Sequence, residues 1–447
     1  MAKAKSPEIL AGRKVYVPRM SYSASMAIAA ALRSVGIDAE VTPESDERTL
    51  ELGAKYLSGD ECFPAKVTMG DFLKIMERFD FDTSRIAFFM AATDGPCRFG
   101  QYVPLMKKVF RQLGVKDEVV MVAPSSSGGY QDLDDYGSDV TRTAWLAVVA
   151  SDILRKLLLK IRPYELNKGE TEQVFEESLN HICKVLEKPN LSHRARLELL
   201  IEALVHIRER FRKIPAEYAR ERPLIGIVGE IFCRLNTFSN HNLVKIIEEH
   251  GGEAWLSDIG EWVWYTDSET ERKLRFNGKR FSLSMLSSKI KTWVQKFDEQ
   301  KLYELFKEDF LGYEEPKSLS EMLMQTAHYL PQGGAIGEMV LNIAKAVYFY
   351  NKGVDGIVDI SPFTCMNGIV CEAIYPRVSR DCDNIPIKNF YFDETQCDLH
   401  RDVGIFIELA KTYQKNKVKQ RIVPRYFYKS SVINQKRCEN VETNAAF

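Results

Sequence analysis

With 447 residues, 45% hydrophobic and 28% charged, the chain is too long for a single hydrophobic core and too apolar for wholesale disorder, so two or three folded domains are expected. Its 61 basic and 62 acidic side chains leave a formal net charge of −1, which excludes the overall basic field of a general nucleic-acid binder. No run approaches the ~20 uncharged apolar residues of a membrane span, and the start lacks the apolar core of a secretory signal, so a cytoplasmic protein is expected whose nine cysteines stay reduced.

In chain order, Lys14 to Pro18 reads as a short strand, and Ser21 or Ser23 caps an alanine-rich helix that Gly36 stops. Ile37 to Val41 resumes as a strand. Helices follow over about Glu47 to Leu57 and about Lys66 to Arg78, separated by the loop Gly59 to Pro64. Arg85 to Ala91 is a continuous apolar run of the length of a buried parallel strand. After the loop Thr93 to Gln101 comes a helix with Val103, Met106, Phe110 and Leu113 on one face, then the strand Val119 to Ala123 and a small polar loop, Ser125 to Tyr130.

From about Val140 to Lys213 the pattern is helical, with breaks at Pro163 and Pro189. A second α/β unit starts at Pro223, with a strand Leu224 to Val228 and a helix from about Asn240 to His250. Residues 260 to 330 read as mostly helical, with Trp262, Trp264 and Trp293 expected in packing roles. A strand at Ile357 to Ile360, the loop Ser361 to Gly368, a helix and a last strand at Ile385 to Phe392 follow. The basic run Lys415 to Arg425 reads as a solvated helix end, and the tail after about Ser430 as loose. The expected organisation is a first α/β domain over 1–139, a helical linker over 140–222, a second α/β domain with a helical insertion over 223–430, and a tail over 431–447.

Three cysteines hold informative positions. Cys97 and Cys365 each lie just past the carboxyl end of an expected strand, and Cys62 sits in a loop opening onto a helix. In open parallel sheets, ligands bind outside the carboxyl ends of strands, where helices begin. Gly95-Pro96 before Cys97, and Pro362 before Cys365, hold each thiol in a defined turn. Cysteine also packs as a small hydrophobe, so one such residue decides nothing; three in equivalent loops favour ligation of an anionic cluster, for which helix N–H groups are suited. Cys233 follows a strand near the same cleft but ranks below the three as a ligand. Cys371 falls on a helix as packing, and Cys183, Cys382, Cys397 and Cys438 read as structural or incidental.

Other signatures are missing. No G-x-x-x-x-G-K-[ST] run supports an ATP loop, and the seven histidines show no zinc-enzyme spacing. Gly333 to Glu338 is a weak glycine cluster. Asp94, Glu230 and Glu338 are loop or strand-end acids available for proton transfer.

Glu61-Cys62-Phe63-Pro64-Ala65-Lys66, Gly95-Pro96-Cys97-Arg98-Phe99-Gly100-Gln101-Tyr102 and Pro362-Phe363-Thr364-Cys365-Met366 resemble the cysteine motifs of the 2-hydroxyacyl-CoA dehydratase superfamily. So do Gly229-Glu230-Ile231 with Asn236 and Asn240, and Gly337-Glu338. The match is closest to the CoA-activase-related or dehydratase-like branch, which includes double-cubane relatives, and it covers about residues 12 to 415. One position departs: Asn367 stands where many relatives carry proline.

The resemblance implies two flavodoxin-like parallel-sheet domains in tandem, with an iron–sulfur cluster ([4Fe-4S] or double-cubane type) held by Cys62, Cys97 and Cys365. It implies that Arg98, with Gly95 in the same loop, offsets the cluster's charge and that Glu230 or Glu338 handles protons. It also implies a separate ATPase activase of actin-like fold that supplies a low-potential electron. In dehydratases that electron makes a ketyl radical from a CoA thioester before water leaves; in double-cubane relatives small molecules are reduced. A dimer is expected. The rivals are a cluster-free α/β binding scaffold and a structural zinc site.

Overall fold

The computed structural model describes residues 10–78, 81–93, 97–115, 119–124, 137–218, 221–331, 337–395 and 398–424. The first part alternates strand and helix: β1 (Lys14–Val17), α1 (Tyr22–Arg33), β2 (Asp38–Val41), α2 (Glu47–Tyr56), α3 (Phe63–Met76), β3 (Ile86–Phe89), α4 (Tyr102–Gln112) and β4 (Val120–Val122). Long helices follow: α5 (Gly137–Ile161), α6 (Glu170–Leu186) and α7 (His193–Arg212). The chain then returns to alternation with β5 (Leu224–Gly229), α8 (Ile231–Leu235), α9 (Leu243–Glu249) and β6 (Glu253–Leu256). The helices α10 (Ile259–Phe276), α11 (Leu283–Glu304), α12 (Leu319–Gln325) and α13 (Glu338–Asn351) precede β7 (Gly356–Pro362), α14 (Met366–Asp381), β8 (Ile387–Phe392) and α15 (Leu399–Asn416).

The strands form two four-stranded sheets, all parallel, with orders β2-β1-β3-β4 and β6-β5-β7-β8. The two orders are the same when strands are counted from the start of each sheet. Parallel strands covered on both faces should be apolar throughout, and β3, β5 and β7 are buried along their whole length. Phe72, Phe88 and Phe110 pack together under the first sheet. On the second, Phe349 of α13 lies so close to Gly226 of β5 that a Cβ there would meet the ring at 2.4 Å. α5 is buried nearly all round and packs against α1, α6 and α7 as well as β6, α10 and α11. One continuous core therefore joins α1 and α5 to the second sheet. No helix among the described residues is long and apolar enough to cross a membrane.

Some expectations need correction. α3 begins at Phe63 rather than near Lys66, because Pro64 sits in the first turn, where its missing N–H is not needed. α9 begins at Leu243 rather than Asn240, since His241 and Asn242 adopt positive φ (50° and 56°). Trp293 does not pack: it is 67% exposed, while α11 turns Met285, Gln295, Asp298 and Leu302 inward. α13 occupies a stretch in which the sequence showed only a glycine cluster, of which Gly333 to Ile336 lie outside the described residues. The basic run is not solvated throughout, because Lys417 is buried against Asp355 and Arg421 pairs with Glu253; its end at Arg425, the Ser125 to Tyr130 loop and the tail after Ser430 lie outside the described residues.

Candidate metal centre at the carboxyl ends of the two sheets

The shared strand order places a switch point between β1 and β3 in one sheet and between β5 and β7 in the other, where a crevice opens beyond the strand ends. Arg19 follows β1 and Cys97 lies in the connection after β3; Glu230 follows β5 and Cys365 follows β7. The Nδ2 of Asn236 donates to the Arg19 carbonyl at 2.7 Å, joining the loop beyond β5 to the loop beyond β1. Lys66 on α3 and Glu394 beyond β8 form a second ion-paired contact between the two parts.

Each of the three cysteines is the N-cap of a helix. Cys62 caps α3, Cys97 caps a short 3-10 turn (Arg98–Gln101) that runs into α4, and Cys365 caps α14. Extended backbone at each cysteine (φ −69°, −65° and −67°) followed at once by helix puts the thiol beside the positive end of a helix. The Cys365 turn is closed by its own N–H donating to the Pro362 carbonyl at 3.0 Å. Thr364, a β-branched residue, is held at φ 66°, a costly conformation of the kind that collects at functional sites. The Cys62 thiol shares a hydrogen bond with the hydroxyl of the buried Tyr102, at the start of α4.

The second sheet contributes the acids. Glu230 caps α8, its carboxylate accepting from the N–H groups of Phe232 (3.1 Å) and Cys233 (2.8 Å). Glu338, in the first turn of α13, accepts from the N–H of Ile231 at 3.2 Å. Burial pushes the Glu338 carboxyl up to about 8, and the neighbouring Glu230 charge adds to the rise. Burial also raises Glu230, against the pull of its two N–H donors. The two acids hold fewer than two charges at neutral pH, and the buried Arg234 guanidinium opposes what remains. Gly229, at φ 122°, lets the chain turn into this site: a Cβ there would lie 2.1 Å from the Ile360 carbonyl. Gly337, at φ 123°, does the same beside the Asn367 amide, and its N–H donates to the Tyr265 hydroxyl at 3.1 Å.

These groups share one neighbourhood. The Glu230 carboxylate raises the thiols of Cys62, Cys97 and Cys365, in each case after the larger effect of burial. Glu338 acts on Cys97 and Cys365 as well, and Cys62 acts on Cys97. Cys97 is exposed, yet the surrounding protein withholds enough water to push its thiol up to about 11. Cys62 and Cys365 are half-buried. Among the described residues no group of three or more His, Cys, Asp or Glu side chains is close enough to hold a single metal ion. Three soft sulfur donors beside helix amino ends are the donor type that an iron–sulfur cluster would take.

The remaining sequence candidates fall as follows. Arg98 is exposed, bonds the Asp60 carbonyl, and exerts its charge on Cys62. Cys233 is buried in α8, close enough to feel the charges of Cys365 and Cys62. Cys371 is buried in α14, its thiol directed at the Met339 carbonyl, and Cys183 and Cys382 are also buried. Asp94, Gly95, Cys397 and Cys438 lie outside the described residues. Sequence reasoning assigned no role to Tyr102, Arg234 or the buried Asn367, whose Oδ1 has no hydrogen-bond partner. Tyr102 closes the motif around Cys97, which was the signal for it; Arg234 and Asn367 become recognisable only once the two sheet ends meet. Proline is compatible with the second position of a helix, so Asn367 there departs from the resemblance without disturbing the Cys365 turn. No protein-family model matches the sequence, and no curated protein matches it significantly.

Proposed function

We propose that this chain is an iron–sulfur protein that accepts low-potential electrons from a separate ATP-hydrolysing activase of actin-like fold and uses them for reductive or radical chemistry. The relatives it resembles are 2-hydroxyacyl-CoA dehydratase-like and double-cubane reductase systems. One arrangement carries the reading: three cysteines, two from the first sheet's connections and one from the second's, each stand at the start of a helix, and the loops beyond β1 and β5 are joined by the Asn236 amide on the Arg19 carbonyl. The common strand order supports reading the two sheets as flavodoxin-like domains in tandem. Seven described cysteines are free thiols, in keeping with a reducing cytoplasm.

Cys62, Cys97 and Cys365 hold the cluster, which when bound supplies one-electron chemistry at a potential lowered by anionic charge and partial seclusion. Tyr102 offers its hydroxyl to the Cys62 sulfur, and Arg98 offsets charge from the solvent side. Glu338 keeps its proton at neutral pH and can deliver it to a reacting atom in the crevice, with Glu230 beside it to share the resulting charge. Phe363, Met366 and Ile369, all exposed around Cys365, give an apolar rim for the activase or for a CoA thioester or small-molecule substrate. The exposed stripe Leu283, Leu286, Ile290, Trp293 and Phe297 along α11 has the three-four spacing of a helix-packing seam and supports a dimer.

The test is strictly anaerobic purification, iron and acid-labile sulfide counts, and EPR of the reduced protein, with Cys97→Ala beside the wild type. Iron and sulfide together, with a signal lost or altered in the variant, are expected. No iron after anaerobic reconstitution would leave the α/β binding scaffold as the reading.

A further inference from the structure

At the far end of α1, away from the cysteines, we propose that the cavity between α1, α5 and α7 binds a phosphate-bearing small molecule, held by Arg142, Arg196 and the amino end of α7. The cavity measures about 170 Å³ and its lining includes Ser34, Thr143, Asn190 and His193 beside the two arginines. One water needs roughly 10–15 Å³ on this measure, so there is room for a phosphate group and part of the molecule that carries it.

Arg196 is the main observation. It is only 5% exposed, yet its guanidinium meets a backbone carbonyl, that of Leu186, and no carboxylate within ion-pair distance among the described residues. Two buried lysines are treated differently: Lys156 faces Asp258 at 3.1 Å, and Lys417 faces Asp355 at 2.6 Å. A buried charge without a contacting counter-ion is costly, and burial acts against the charged form of Arg196 more than the charge of Asp139 supports it. The cavity beside it is where an anion would relieve that cost. Arg142, exposed on the first turns of α5, also has no ion-pair partner among the described residues.

The other charges at the cavity do not cancel these two. Among the described residues Asp139 is the one carboxylate of the lining, it is exposed, and those residues carry a net positive balance with two guanidiniums. His193 is turned to Asp298 at 2.9 Å. The amino end of α7, a 20-residue helix, brings partial positive charge, while the carboxyl end of α1 at Ser34 brings an opposing partial charge of similar size. The dipoles offset, so the arginines set the sign. Their planar forks suit the oxygens of a phosphate, which has enough acceptors to take hydrogen bonds from both guanidiniums at once.

The experiment uses the full chain in chloride buffer at constant ionic strength, titrated with inorganic phosphate and, separately, glycerol 3-phosphate, read by calorimetry and by melting temperature. Both probes are expected to bind and to raise the melting temperature, with chloride alone doing neither. Tighter binding of glycerol 3-phosphate marks an ester as the ligand, and equal binding marks free phosphate; either supports the site. Arg142→Gln, at a position with no structural partner to lose, should weaken binding ~10-fold, the size of one charge-assisted contact. Arg196→Met should abolish it, and Lys289→Gln, exposed on α11, should leave it unchanged. Absence of binding by the wild type, or equal affinity in Arg142→Gln, overturns the proposal whatever Arg196→Met does to folding, and neither result bears on the cysteine site.

Discussion

The two sheets share a strand order but are held together in different ways. Around the first, ion pairs such as Lys14–Glu40 and Arg48–Glu77 lie at the surface, and cohesion comes from aromatic and methionine packing around Phe72 and Phe88. Around the second, ammonium and guanidinium groups are buried against carboxylates: Lys345 with Glu261 and Glu315, Lys417 with Asp355, Arg421 with Glu253. The same contrast holds at the sheet ends. The first unit brings an exposed thiol, Cys97, and an exposed arginine, Arg98; the second brings the half-buried Glu230 and the buried Glu338, with the buried Arg234 behind them. The lesson is a difference of setting: the first unit leaves Cys97 at the surface, whereas the second keeps its own half-buried Cys365 within reach of the Glu230 and Glu338 charges.

The largest effect should come from the turn out of β5. Gly229→Ala puts a Cβ into the Ile360 carbonyl at a positive φ, and is expected to cost on the order of 4 kcal/mol or more, enough to leave little folded protein. Soluble protein with a wild-type urea midpoint would mean the two strand ends are not locked as described. Next comes Lys345→Met, which strands Glu261 and leaves Glu315 with Lys156 alone. Removing one partner of a buried ion pair costs about 3–5 kcal/mol, and urea denaturation of the metal-free protein should register a loss in that range.

The acid pair gives a pH signature. The folded Glu338 carboxyl titrates near 8 against an ordinary 4.5, so between those values the folded state keeps a proton that the unfolded chain has released. Its contribution is therefore complete below the ordinary value and is lost as pH rises toward 8. Glu338→Gln keeps an acceptor for the Ile231 N–H but cannot titrate, so its stability should fall less across that window. Parallel curves for the two metal-free proteins would show that Glu338 is not held neutral. The smallest effect belongs to the first unit's surface: Arg48→Ala breaks only exposed pairs with Glu51 and Glu77 and should leave the midpoint where it was. A clear loss there would erase the contrast between the units.

Much of the frame was legible because it rests on local rules. Continuous apolar runs marked β3, β5 and β7, and the glycine and proline turns beyond them marked Cys97 and Cys365 as loop residues leading into helices. Cys62 stood out beside Pro64, although the helix begins at Phe63, one residue after it. What stayed hidden depends on contacts between distant parts of the chain. Asn236 looks like any loop asparagine until its amide reaches Arg19. Trp293 reads as a packing residue by composition, yet α11 buries a polar face instead: Asp298 pairs with His193, and the Gln295 carbonyl takes the Trp145 indole N–H at 2.9 Å. Periodicity cannot show such a choice, because the partner that makes a polar face affordable lies about a hundred or more residues away.

The most direct test of a cluster shared between the units is the iron content of single cysteine variants after anaerobic reconstitution. Cys97→Ala removes a thiol from the first unit and Cys365→Ala one from the second. If both feed one cluster, each variant alone should lose or degrade the whole complement, while Cys371→Ala, buried in α14, keeps it. Two variants that each retain a separate intact share of the iron, or that both retain all of it, would contradict a single centre built from both sheets.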